Sequence, residues 1–427
     1  MQDLTYGMEG YPVLLLQYAL QRAGMDVGNL DGIFGRRTAK ALLRFQREQG
    51  LAADGIAGKL TWAALYPYIS GYMLHRTVNG DTFYQLAKGY GTTVSAIQTA
   101  NPTLDPASLP IGEIITVPLG LPVVTGRIPY SHLLTCLMLK GLVMRYPFLT
   151  MREIGRSVMG RPILAISVGS GPKSVGYNAA HHANEWITVP VLLRFLEEYA
   201  AAYAAGGSVG DVSARTLYET ATLRMVPLVN PDGVDLVTGA LDPQDSFYAQ
   251  ASALAAHYPD IPFPSGWKSN ISGVDLNLQY PAGWDIARRI KFSQGYTRPG
   301  PRDYVGSEPL ITPENRAMAQ WTRDNDFALT LSYHTQGRTI YWQYDDIVVP
   351  EARAIGEQMS HSSGYALEST PYASGHAGYK DWIIQDWRRP GFTIEAGIGE
   401  NPLPLSQFET IYGENLPILV QGIIVSP

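Results

Sequence analysis

His182 and Glu185 set an imidazole and a carboxylate three residues apart, directly after the apolar run Val175 to Ala180. At that spacing the two close on one small cation if the chain turns between them. Two ligands do not complete a metal site, so a third must come from elsewhere. His334 offers it, again at the end of an apolar run, Phe327 to Tyr333. Two histidines and one glutamate, with a position left for water, form one of the ligand sets of catalytic zinc. A further run, Gly391 to Ile394, ends on the lone carboxylate of Glu395. A general base would stand at such a place, since a carboxylate buried in a strand without a task is costly.

The elements that must hold these residues alternate along the chain. Ile163 to Gly169, Gly176 to Ala180, Thr222 to Val229, Phe327 to Tyr333 and Gly391 to Ile394 read as strands. Val189 to Tyr203, Pro313 to Asn325 and Glu351 to Ser360 read as helices. The alternation predicts an α/β domain with a mixed sheet covered by helices on both faces. The candidate ligands fall at strand ends, where open α/β sheets place their sites.

His182-x-x-Glu185-Trp186, Ser332-Tyr333-His334 and Phe392-Thr393-Ile394-Glu395 together resemble the zinc carboxypeptidase A superfamily. The resemblance implies one zinc ion per chain, held by His182, Glu185 and His334, with Glu395 as general base. His181 then supports rather than ligates. Within Gly273-Val274-Asp275-Leu276-Asn277, Asp275 sits where the family has the carboxylate that orients the first zinc-binding histidine. Asn277 sits where the family binds the substrate's terminal carboxylate. Leu278 departs, because the digestive members carry arginine there, and this speaks against ordinary C-terminal exopeptidase action. Lys268 stands where the family has an arginine that steadies the oxyanion, and it supplies charge without the two-pronged fork. Tyr372 resembles the family's mobile active-site tyrosine, with Tyr379 as its rival. Lys380 precedes Asp381-Trp382, the place that sets side-chain preference in the digestive members. A cation there would pair with the distal carboxylate of meso-diaminopimelate. The alternative is a surface lysine on a loop, since lysines are mostly exposed.

Two smaller units precede this domain. Val13-Leu14-x-x-Gln17-x-x-Leu20, then Ala39 to Gln49, then a short stretch reaching Leu65 predict three helices. The turns Asp31-Gly32 and Asp54-Gly55 repeat before the second and third. The segment resembles the three-helix bacterial peptidoglycan-binding domain. Leu74 to Val78, Phe83 to Tyr90, Thr93 to Asn101 and Leu109 to Pro118 predict a βααβ unit that resembles the LysM domain, a binder of N-acetylglucosamine-containing glycans. The expected domains are residues 1–70 (peptidoglycan-binding), 71–119 (LysM) and 120–427 (zinc carboxypeptidase-like), a multidomain chain.

Composition narrows the function. A hydrophobic content of 45% against 16% charged residues describes a chain able to bury a large core. A formal charge of −6 with no basic run gives no expectation of nucleic acid or of a membrane surface as partner. The single cysteine, Cys136, excludes a disulfide framework and lies in an apolar helical pattern that predicts burial. Met1-Gln2-Asp3-Leu4-Thr5 lacks a charged leader, so no signal peptide is expected. The reading that uses all three units is hydrolysis of peptidoglycan stem peptides at the γ-D-glutamyl–meso-diaminopimelate amide, with glycan strands and stem peptides as partners. A monomer is expected, associated with the cell wall in an extracellular or sporulation compartment. The competing readings are a zinc carboxypeptidase acting on other peptides and a catalytically dead wall-binding protein.

Overall fold

The computed structural model describes residues 3–426. Met1 and Gln2, which open the N-terminal stretch read above, and Pro427 lie outside the described residues.

One compact unit takes in the chain up to Ile128 together with residues 136–149. Its first part is three helices, Tyr11–Arg22, Arg36–Glu48 and Lys59–Ser70. Leu16, Leu20, Phe34, Leu42, Phe45 and Leu65 form the buried interior. The third helix runs past the expected Leu65 and through Pro67, and stops where Gly71 turns left-handed (φ 78°). Each Asp-Gly turn is organised by a buried glutamine. Gln17 Nε2 donates to Asp31 Oδ1 (2.7 Å) and Thr38 Oγ1 (3.2 Å), and its Oε1 accepts from Gly32 N (2.8 Å). Gln46 repeats this with Asp54 Oδ1 (2.9 Å), Thr61 Oγ1 (3.2 Å) and Gly55 N (3.0 Å).

The second part pairs β1 (Tyr72–Arg76) antiparallel with β2 (Ile114–Pro118) around helices Phe83–Tyr90 and Val94–Ala100. Thr82 and Thr93 cap those helices, their hydroxyls accepting from Gln85 N (3.2 Å) and Ala96 N (3.0 Å), which satisfies otherwise orphaned amides. Phe83, Ile97, Ile115 and Val117 fill the space between. Cys136 corrects the expectation of burial. In the helix His132–Arg145 it is only half-buried, on the side that carries the exposed Leu133 and Lys140.

The other unit, residues 129–135 and 150 onward, is built on an eight-stranded sheet. Its strands are β3 (Thr150–Arg156), β4 (Pro162–Val168), β5 (Lys173–Ala179), β8 (Ala221–Val226), β9 (Leu329–His334), β10 (Thr339–Tyr341), β11 (Ala366–Glu368) and β12 (Gly391–Glu395), with β6 (Ser208–Val209) and β7 (Val212–Ser213) forming a separate small ladder. The order is β11-β10-β12-β9-β5-β8-β4-β3. The central strands β12, β9, β5 and β8 are mutually parallel, and antiparallel pairs flank them, so the sheet is mixed. The parallel strand β9 is buried along its whole length, whereas β8 alternates buried and half-buried residues. Alternation along β5 sends Tyr177 to one side, where its hydroxyl donates to Leu419 O (2.8 Å) of the helix Phe408–Ile424. Gly422 of that helix must stay glycine, since a Cβ there would stand 2.3 Å from the Tyr177 hydroxyl. On the other side, Gly176 lies against the Phe327 ring.

Candidate active site

Strands β5, β9 and β12 deliver the site at their C-terminal ends. The register pairs Glu395 with His334 across β12 and β9, which sets general-base candidate beside ligand candidate. After β5, Ala180 takes a left-handed conformation (φ 54°), which costs a non-glycine residue about 1–3 kcal/mol and must be held by its surroundings. Val229 N and Asn230 N do so by donating to Ala179 O and Ala180 O, both at 3.1 Å. That turn sends His181 and His182 in different directions. A single 3-10 turn, Ala183–Glu185, then brings Glu185 back under His182.

Three of the expected residues converge closely. His182 Nδ1 lies 2.9 Å from Glu185 Oε1, and His334 Nδ1 lies 2.8 Å from Glu185 Oε2. The two Nδ1 atoms face each other at 3.2 Å. Burial opposes charge on His182, yet Glu185 prevails and raises it to about 9, while burial lowers His334. Against the upward push of burial, His182, Lys268 and His334 hold Glu185 well below its usual value. Glu185 thus presents a negative charge to both imidazoles.

This arrangement fits zinc. Two nitrogens on a tetrahedral ion at zinc–nitrogen lengths of about 2.0–2.1 Å would be roughly 3.3 Å apart. The observed 3.2 Å between the Nδ1 atoms matches. His182 Nε2 is 3.2 Å from Asp275 Oδ1, the contact that fixes which nitrogen faces inward. Asp275 itself is steadied by Asn277 N and Asp303 N, each at 3.1 Å. His181 stands behind, fully buried, its Nε2 2.9 Å from the Tyr280 hydroxyl and its ring stacked on His334.

Lys268, Asn277, Lys380 and Glu395 line one cleft with His182. Burial pushes Glu395 up to about 8, with Glu185 adding to the effect. Lys268 Nζ lies 3.2 Å from Glu185 Oε1. Asn277 Oδ1 accepts from Tyr379 N (3.0 Å), which turns its NH2 end away from that contact. Lys380 is not the exposed loop lysine of the alternative reading. It is 4% exposed, within the single turn Tyr379–Trp382, and its Nζ donates to Asp381 Oδ1 (2.5 Å) and Gln343 O (2.6 Å). Tyr379 is buried, with its hydroxyl 2.8 Å from Thr322 Oγ1, so it is spent within the fold. Tyr372 is 72% exposed on the loop whose Thr370 and Ser374 line the cleft.

Sequence reasoning missed three charged residues of this cleft, Lys291, Arg302 and Asp303. The available signal was an Arg-Asp pair in the proline- and glycine-rich stretch Pro299-Gly300-Pro301-Arg302-Asp303, where a charged pair in a turn needs a reason.

A match to a zinc carboxypeptidase family spans residues 136–417, a match to a peptidoglycan-binding domain spans 9–65, and a match to the LysM domain spans 75–118. The chain is 45% identical over 300 residues to gamma-D-glutamyl-L-diamino acid endopeptidase 1 of Lysinibacillus sphaericus, covering 70% of this chain and 74% of that one. It is 38% identical over 283 residues to an uncharacterized protein of Bacillus subtilis (strain 168), covering 66% and 73%. Among solved structures, bovine thrombin-activatable fibrinolysis inhibitor superposes with a TM-score of 0.54 at 18% identity, over 69% of this chain and 96% of that one. Carboxypeptidase A from Helicoverpa armigera superposes with a TM-score of 0.52 at 19% identity, over 70% and 74%. These two likenesses are of fold.

Proposed function

The chain belongs to the zinc carboxypeptidase family, and from that premise we propose that it is a zinc-dependent peptidoglycan hydrolase cutting the amide between the γ-carboxyl of D-glutamate and meso-diaminopimelate. The observation that carries the reading is a two-histidine, one-glutamate cluster opening on a cleft where Leu278 stands in place of the digestive members' arginine and Lys380 is buried. That cleft suits a substrate whose amine-side residue continues past the cut and carries a distal carboxylate.

His182 Nδ1, His334 Nδ1 and Glu185 would hold the zinc, and Asp275 orients His182. Zinc supplies electrophilic activation of the scissile carbonyl and of the attacking water. Glu395, set beside His334 across the strands β12 and β9, takes a proton from that water and returns it to the departing amine. Lys268 offers its ammonium to the developing oxyanion. Asn277 and Lys380 bind the amine-side residue, and Tyr372 reaches in from its exposed loop.

The peptidoglycan-binding and LysM domains associate the protein with the cell wall. Held there, the catalytic domain meets stem peptides at an effective concentration of about mM for short linkers. The division at residues 1–70, 71–119 and 120–427, action as a monomer, and an extracellular or sporulation compartment complete the proposal. The test is mass spectrometry of purified stem peptides after digestion, with and without a zinc chelator. Chelator-sensitive release of fragments ending in γ-D-glutamate is expected. Release of a C-terminal residue alone would point to a carboxypeptidase instead.

A further inference from the structure

A γ-linked glutamate has a free α-carboxylate on the acyl side of the cut, and the roles above assign no residue to it. The cleft holds a cation that those roles leave unused. Arg302 Nε pairs with Asp303 Oδ2 at 2.6 Å, and Lys291 Nζ pairs with Asp303 Oδ1 at 2.5 Å. Asp303 is thereby saturated by two cations. The terminal nitrogens of Arg302 have no hydrogen-bond partner among the described residues, although the residue lines the cleft.

The loop carrying Arg302 is fastened beside the reaction centre. Pro301 O accepts from Lys268 N (2.7 Å) and Ser269 N (3.0 Å). Asp303 N donates to Asp275 Oδ2 (3.1 Å), and Asp275 N donates to Tyr304 O (2.9 Å). Arg302 is therefore stitched between the lysine proposed for the oxyanion and the carboxylate behind His182. Asp303 is left-handed (φ 64°), a conformation that aspartate tolerates better than most residues, and it turns the chain sharply after Arg302. Lys380 is anchored separately, through Asp381 and Gln343. The cleft thus offers cations at two separately anchored places, and the proposed substrate has carboxylates on both sides of its scissile amide.

We propose that Arg302 binds the free α-carboxylate of the γ-linked D-glutamate, so that the enzyme distinguishes acidic stem peptides from those amidated at that carboxyl. The inference rests on the reaction proposed above. A planar guanidinium whose Nε is already fixed presents its two terminal N–H groups as a fork, the geometry a carboxylate accepts in pairs. An amide in the same place offers one acceptor oxygen and turns a donor toward the cation.

The experiment measures kcat/KM on two matched substrates, γ-D-glutamyl-meso-diaminopimelate and its α-amide, for the parent, Arg302→Gln and Arg302→Lys, with zinc content checked in each. The parent should prefer the acid about tenfold to a hundredfold. The ratio should fall toward one in Arg302→Gln and stay intermediate in Arg302→Lys. Equal loss on both substrates would mean that Arg302 only props Asp303, and an unchanged ratio or a parent without preference would equally overturn the inference. Cleavage of neither substrate by the zinc-loaded parent would instead remove the proposed reaction, and the inference with it.

Discussion

Lys268 Nζ stands 3.2 Å from Glu185 Oε1, the same oxygen that His182 Nδ1 approaches at 2.9 Å. A lysine and a histidine therefore share a carboxylate proposed to hold zinc. Burial opposes the ammonium, but Glu185 and Asp275 raise its pKa, so the lysine is charged. Lys268→Met removes both a competitor for Glu185 and a repulsive charge beside the ion. Zinc should then bind several-fold more tightly in a chelator competition, while kcat falls about 10²–10³-fold through loss of an oxyanion partner. Weaker zinc binding in this variant would mean that Lys268 helps to build the metal site.

Glu395→Gln keeps the side chain's shape and removes its basicity. Metal analysis should find about one zinc per chain, as in the parent, and turnover should drop by about two to four decades. Turnover within tenfold of the parent would assign the proton transfer to another group.

Lys380 was expected to select diaminopimelate, and its burial alters how that is tested. Lys380→Met would strand Asp381, which is 3% exposed, without its cation, a change that destabilises folds by itself. Lys380→Gln keeps a donor for Asp381 and removes the charge. The ratio of kcat/KM on diaminopimelate-containing over lysine-containing substrates should narrow about tenfold to a hundredfold. An unchanged ratio would take Lys380 out of the specificity pocket.

Glu314, fully buried, accepts from Val158 N (3.1 Å) and Asn270 Nδ2 (3.2 Å), and burial pushes its carboxyl up to about 7. The folded chain keeps this proton where the unfolded chain releases it. Its contribution to stability is therefore complete below the unfolded value of 4.5 and is lost as pH rises through about 7. Compared with Glu314→Gln, the parent should lose several degrees of Tm between pH 5 and pH 8, each kcal/mol being about 2–4 °C. A difference in Tm that is constant across pH would refute the assignment.

The ligand positions were legible because a polar residue closing an apolar strand has no packing reason to be there. His334 and Glu395 carry that signal, and β9 and β12 set them side by side. The helix Pro313–Asn325 was legible to its ends, since Thr312 caps it and Pro313 opens it. Arg302 was not, because its place depends on Pro301 O meeting Lys268 N across two loops that share no periodicity. Lys380 was read as a specificity residue from its place before Asp381-Trp382, with an exposed lysine as the alternative, because a Gly- and Tyr-rich stretch carries no local mark of burial. The third helix, expected to reach Leu65, runs on to Ser70 with Pro67 inside it.

The paired glutamines of the N-terminal helices bear on where such a protein can work. Hydrogen bonds from Gln17 and Ile33 N hold the Asp31 carboxyl below its usual value, and those from Ile56 N and Gln46 do the same for Asp54. A depressed carboxyl keeps its contribution above the unfolded pKa and surrenders it only as pH falls through the lower folded value. Both turns thus stay closed in mildly acidic surroundings. Neutral amides, not ion pairs, span each joint, so dissolved salt has little to screen. Each turn of this helical unit is in this way clasped by a neutral amide around a carboxylate, a joint whose charge persists below the ordinary carboxylate range.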